Sequence, residues 1–167
     1  MGAYYYASGH RIELEDDDEH VAVDKKIAER AGLDATAIVD ASAAPRAGGG
    51  VLIARRSALG KETLATLQKA GALQPIYKRD RAVVVAMPEV RVEFDNPAQR
   101  KSVIDLLATI ESPHTIEEDS SNRMVIRPAT GNGNDALKIA NDIYERARPA
   151  AASVRFVQFV PKRTAVR

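Results

Sequence analysis

The chain has 167 residues, 45% of them hydrophobic and 28% charged, a globular composition sized for one domain or two small ones. Its 24 Lys and Arg against 23 Asp and Glu leave a formal charge of +1, which gives no overall pull toward nucleic acid, an anionic membrane or an acidic substrate. The lack of cysteine excludes disulfides, thiolate nucleophiles, Cys-ligated zinc and iron–sulfur clusters. No apolar run reaches the length of a membrane span, and the start MGAYYYASGHR has neither the basic nor the apolar region of a secretory signal. The expectation is a cytoplasmic protein without a cofactor.

Short extended segments at 11–14 and 20–24 flank the acidic run 15–19. Five consecutive carboxylates resist burial, so this run is expected to form a solvated turn. Residues 25–33 fit a short helix through Ile27, Ala28 and Ala31, stopped by Gly32. Residues 36–39 suggest a weak strand, and ASAAPRAGGG at 41–50 a turn or linker. A strand at 51–54 precedes a helix over 57–71, with Leu59, Leu64, Leu67 and Ala70 on one side. Strands follow at 73–77 and 82–87, the second closed by Pro88.

The pattern then restarts. Val90, Val92 and Phe94 alternate on one strand face. Asn96 and Pro97 open a helix striped with Val103, Ile104, Leu106, Leu107 and Ile110. A strand at 114–116, a polar turn at 117–122 and a strand at 124–126 come next. A Gly- and Asn-rich turn at 131–134 leads to a helix over 135–147 with Leu137, Ile139, Ala140 and Ile143 inward. A strand at 153–160 places Val154, Phe156 and Gln158 opposite Arg155, Val157 and Phe159.

Residues 90–160 therefore read β-α-β-β-α-β, and the first half gives a looser version of the same order. The expected fold is α+β: two tandem ferredoxin-like (β-α-β-β-α-β) units, with antiparallel sheets and helices on one face. The division falls at residues 1–88, with an extended N-terminal strand pair, and 89–167, with a C-terminal tail.

No catalytic constellation emerges. The serines lie in no G-x-S-x-G setting, and no Ser–His–Asp set can be assembled. His10, Asp16, Asp17, Asp18, Glu19 and His20 lack the spacing of an EF-hand or of H-E-x-x-H, so no metal site is expected. Gly48, Gly49 and Gly50 precede a strand, the wrong context for a dinucleotide loop. TGNGN at 130–134 enters a helix but lacks the Lys and Ser/Thr of a phosphate-binding loop. RNA binding on a sheet face needs stacking aromatics; the first strand of the second half offers only Phe94, and 124–126 offers none. The expected role is non-enzymatic protein binding.

Tyr4, Tyr5, Tyr6, Gly9, Arg11, Ile12 and Leu14, followed by Val21, Ala22 and Val23, resemble the opening of the region before the catalytic domain in bacterial subtilisin-like serine proteases. The strand 90–94, the helix 97–110, the strand–turn–strand around 117–122, the helix 135–147 and the strand 154–160 resemble the subtilisin propeptide module. The resemblance covers most of the chain through diffuse motifs. It implies a chaperone and tight inhibitor of the protease, docked 1:1 through its sheet with its last strand running into the substrate cleft. Carried onto this chain, Glu117, Glu118, Asp119 and Phe156 would dock, the carboxylates capping enzyme helices. Thr164, Ala165, Val166 and Arg167 would fill substrate subsites. No protease domain follows, so the expectation is a free-standing inhibitor. The alternative is a regulatory ferredoxin-like module that forms a homodimer or binds a small ligand at the 131–134 turn. Neither reading involves nucleic acid or membrane.

Overall fold

The computed structural model describes residues 3–35 and 50–159. The weak strand expected at 36–39, most of the 41–50 linker and the tail residues 164–167 lie outside them. The protein is α+β with antiparallel sheets. By internal packing it divides into two units, Met1–Leu14 with Ala86–Arg155, and Glu15–Val85 with Phe156–Arg167. The N-terminal residues through Leu14 thus fall in the same unit as Ala86–Arg155.

That hairpin pairs β1 (Tyr4–Ala7) with β2 (His10–Glu13). Ser8 and Gly9 both take positive φ, as a two-residue turn between twisted strands requires. The first strand is absent from the expected elements, although the tyrosine run followed by Ser-Gly carries its signal. Three tyrosines also attach it. Tyr6 stacks on Tyr144 with ring centroids 4.4 Å apart, and the Tyr4 and Tyr6 hydroxyls donate to Glu145 Oε2 at 3.1 and 2.5 Å. The Asn141 side-chain amide donates to the Tyr4 carbonyl at 2.9 Å.

The rest of this unit follows β-α-β-β-α-β order. Strand β8 (Ala82–Glu93) supplies its second half, followed by α3 (Pro97–Leu107), β9 (His114–Asp119), β10 (Arg123–Pro128), α4 (Gly133–Ala147) and β11 (Ala151–Phe159). Across the sheet the strands run β11-β8-β10-β9. Register pairs Met124 with Val92 and Ile126 with Val90, and all four are fully buried. Helices α3 and α4 pack on one another, and α4 packs on β10, so this is the helix-covered face. The expected inward residues of α4, Leu137, Ile139, Ala140 and Ile143, are buried there, each large side chain contributing about 2 kcal/mol. Asn96 caps α3 by accepting from the Gln99 N–H at 2.9 Å, while Gln99 accepts from the Asp95 N–H at 2.7 Å. The first bond satisfies a donor that the helix start leaves open, and the second ties down the residue before the cap.

In the other unit, β4 (His20–Asp24) is central in a three-stranded sheet between β5 (Val51–Arg55) and β6 (Leu73–Gln74). Helices α1 (Lys25–Arg30) and α2 (Lys61–Lys69) accompany it, and Val21, Val23, Ala28, Ala54 and Leu67 form its core. Strand β7 (Ile76–Arg79) pairs with residues 82–85 and with the short β3 (Glu15–Asp16).

Four expectations change. The strand 73–77 is two strands in different sheets, with Pro75, which has no N–H to donate, between them. Pro88 does not end its strand; it falls between the ladders to β7 and β10, where no N–H is needed. The helix at 57–71 begins only at Lys61, after a 3-10 turn at Arg56–Ala58, with Gly60 as its extended N-cap. The burial alternation of β11 shifts after Arg155: Ala152 and Val154 are buried, then Val157.

Candidate functional site

The face of the 86–155 sheet opposite its helices is set by alternation: Val90 and Val92 point inward, so Glu89, Arg91 and Glu93 point outward. The same logic places Arg123, Val125 and Arg127 of β10 on the outer face. Glu89 is the hub. Its carboxylate accepts from Arg91 Nε at 2.6 Å and Arg127 Nη2 at 3.0 Å, with Arg155 Nε at 3.9 Å. Arg127 also donates through Nε to Glu117. That bond raises the Arg127 guanidinium above its ordinary value, against the opposing effect of partial burial. The side chains of Arg91, Arg127 and Glu117 are 56%, 42% and 52% exposed, and that of Glu89 12%. Val125 is 7% exposed, so this surface presents ion-paired charge rather than an apolar patch.

The acidic residues expected to act together are separated. Glu117, Glu118 and Asp119 belong to β9, not to a turn; the turn is confined to 120–122. A register shift lets two residues of β9 face one of β10 between Val125 and Ile126, where Glu118 pairs with Val125 by its backbone. Glu117 meets Arg127 on the open face. Asp119, paired in register with the buried Met124, turns to the helical side and holds Arg100 of α3 at 2.7 Å. Phe156 is half-buried in β11 and already has a partner within the chain. The inhibitory-tail residues Thr164, Ala165, Val166 and Arg167 lie outside the described residues.

The acidic run also departs from a solvated turn. Asp17 is buried, with its Oδ1 accepting from the Glu19 and His20 N–H groups at 2.8 Å each. Its Oδ2 lies 3.0 Å from His20 Nδ1. Burial pushes this carboxyl upward, but the bonds from His20 and Glu19 outweigh it and hold Asp17 below the ordinary carboxylate range. The D-x-x-H spacing before a strand carried this signal, since an aspartate can cap the amides two and three residues on.

The 131–134 turn is occupied by packing. Asn132 caps α4 by accepting from the Asn134 N–H, Thr130 donates to Asp135 at 2.6 Å, and Gly133 lies against the backbone of Ala86. Among the described residues, no group of three or more His, Cys, Asp or Glu gathers to hold a metal, and no helix is long and apolar enough to cross a membrane.

The geometry defines an α+β protein with an ion-paired sheet face opposite its helices. Comparison with protein-family models, curated proteins and solved structures finds no match to the chain.

Proposed function

We propose that this chain is a non-catalytic inhibitor and folding partner of a subtilisin-like serine protease, docking through the open face of the 86–155 sheet and placing its C-terminal tail in the substrate cleft. The observation that carries the docking half is the ion-paired surface around Glu89, uncovered by either helix of the unit. The strand order β11-β8-β10-β9 supports a ferredoxin-like reading of this unit, since it is the 4-1-3-2 order of a β-α-β-β-α-β sheet. The protease itself enters through the propeptide resemblance.

The docking set is narrower than the resemblance implies. Asp119 is committed to Arg100, so it is assigned to holding α3 rather than to capping an enzyme helix. Glu117 stays in the set with Glu89, Arg91 and Arg127. A surface of this kind docks by exchanging internal ion pairs for intermolecular ones, which favours orientation and rapid encounter over sheer affinity.

The test mixes the purified chain with a subtilisin-like protease, following peptide hydrolysis and complex mass. A 1:1 complex with loss of hydrolysis is expected. Charge reversal at Arg91 and Arg127 together should weaken inhibition at least about tenfold, while Arg100→Ala leaves it unchanged. Removing residues 164–167 should abolish inhibition; retained inhibition would move the role to the sheet alone. No complex at all would overturn the reading.

A further inference from the structure

The 15–85 unit contains an open pocket of about 610 Å³ lined by Asp18, Glu19, His20, Arg55, Arg56 and Ser57. Its volume suits a small molecule. Two backbone features hold it together. His20 lies opposite Arg55 in the β4–β5 ladder, and the Arg56 N–H donates to the Glu19 carbonyl at 2.8 Å. The buried Asp17 carboxylate fixes the turn from beneath through the Glu19 and His20 amides. By engaging His20 Nδ1, it leaves Nε2 as the imidazole nitrogen available to a ligand.

The charges lining this pocket are of both signs. Arg91, Arg100 and Arg127 are each held by a carboxylate. Among the described residues, Arg55 and Arg56 form no ion pair, and neither do Asp18 and Glu19, although all four line the same pocket. All four are exposed. Two cations and two anions thus stand around one opening without neutralising each other. A purely anionic ligand would meet Asp18 and Glu19, and a purely cationic one would meet Arg55 and Arg56.

We propose that this pocket binds a small zwitterion of the α-amino-acid class. The carboxylate is taken by the Arg55 and Arg56 guanidinium groups with the Ser57 hydroxyl, and the ammonium by Asp18 and Glu19. Guanidinium groups suit the first role because their planar fork matches a carboxylate. His20, held by Asp17, forms the wall between the two ends. This site is independent of protein docking on the other unit.

The experiment is an NMR titration of the full chain with glycine and with L-leucine, using acetate and ethylammonium as single-charge probes and inorganic phosphate as a plain anion. Saturable shifts confined to the amides of 18–20 and 55–57 and to the His20 ring are expected with the amino acids. Acetate and ethylammonium should bind at least about tenfold more weakly, because each leaves one pair of charges unanswered. Arg55→Gln combined with Arg56→Gln should remove the shifts; both side chains are exposed, so the fold is retained, as unchanged amide positions at Val21–Asp24 and Leu73–Gln74 of the same sheet will register. Equal binding of acetate or phosphate would identify a simple anion site and overturn the proposal. Absence of any saturable shift with both amino acids would overturn it as well.

Discussion

Arg100 and Asp119 form a two-pronged ion pair on the helical side of the 86–155 sheet, Arg100 Nη2 approaching the two carboxylate oxygens at 2.8 and 2.7 Å and Nε adding a third contact at 3.1 Å. The pair ties α3 to the end of β9, elements joined in sequence only by the 108–113 connection. Both side chains are about a third exposed, so solvent screens much of the attraction. Asp119→Ala and Arg100→Ala should each lower stability by about 1 kcal/mol, with a coupling energy of about 0.5 kcal/mol in a double-mutant cycle followed by urea unfolding. Full additivity would show that the pair contributes nothing.

Gly133 begins α4 against β8. A Cβ built there would sit 1.8 Å from the Ala86 carbonyl oxygen and 2.6 Å from its carbon, a clash with backbone that no side-chain rotation relieves. Gly133→Ala should therefore cost about 3 kcal/mol, read from the shift in the denaturation midpoint. Gly60→Ala is the control, because nothing lies within 4 Å of its added Cβ. Equal effects of the two would refute the close approach.

Asp17 couples the 15–85 unit to pH. Its carboxyl is held below the ordinary value by the His20 and Glu19 bonds, despite burial. A depressed folded-state value contributes stability that is complete above the unfolded value, about 4, and is lost as pH falls through the lower folded value. Asp17→Asn should cost about 2 kcal/mol at neutral pH and flatten the acid limb of the stability curve. Hydrogen exchange at the Glu19 and His20 amides across an acid titration measures both.

The N-terminal hairpin should loosen at the opposite extreme. Tyr4 is raised above 10.0 by burial and by its bond to Glu145; Tyr6 is raised chiefly by its own bond to Glu145. Groups raised on folding contribute stability below their unfolded value and lose it as pH climbs through the folded one. Glu145→Ala should return both phenols toward their ordinary titration and speed amide exchange in β1 and β2 by about tenfold, whereas Glu145→Gln retains an acceptor and much of the protection. Ultraviolet phenolate titration separates the two variants.

The local pattern was legible where periodicity and end signals agree. Asn96-Pro97 announces α3, and the inward stripe Leu137, Ile139, Ala140 and Ile143 of α4 is buried as its spacing requires. Alternation in 90–94 marks the inner sheet face, because the side-chain period of a strand is a local property of the chain. Signals set by partners were not legible. Whether Pro88 ends a strand depends on where the neighbouring ladders stop, and whether Asp17 is solvated depends on the amides and imidazole that meet it.

Composition, periodicity and turn chemistry alone determined an α+β chain with its helices, most of its strands and its inward-facing residues, since those follow from contacts a few positions apart. Tertiary structure alone decided that Glu117 and Asp119 face opposite sides of one sheet, that the tyrosine hairpin belongs with α4, and that Arg55 and Arg56 share a pocket with Asp18 and Glu19. Register shifts, packing between distant segments and the pairing of charges are fixed only when the whole chain has closed on itself.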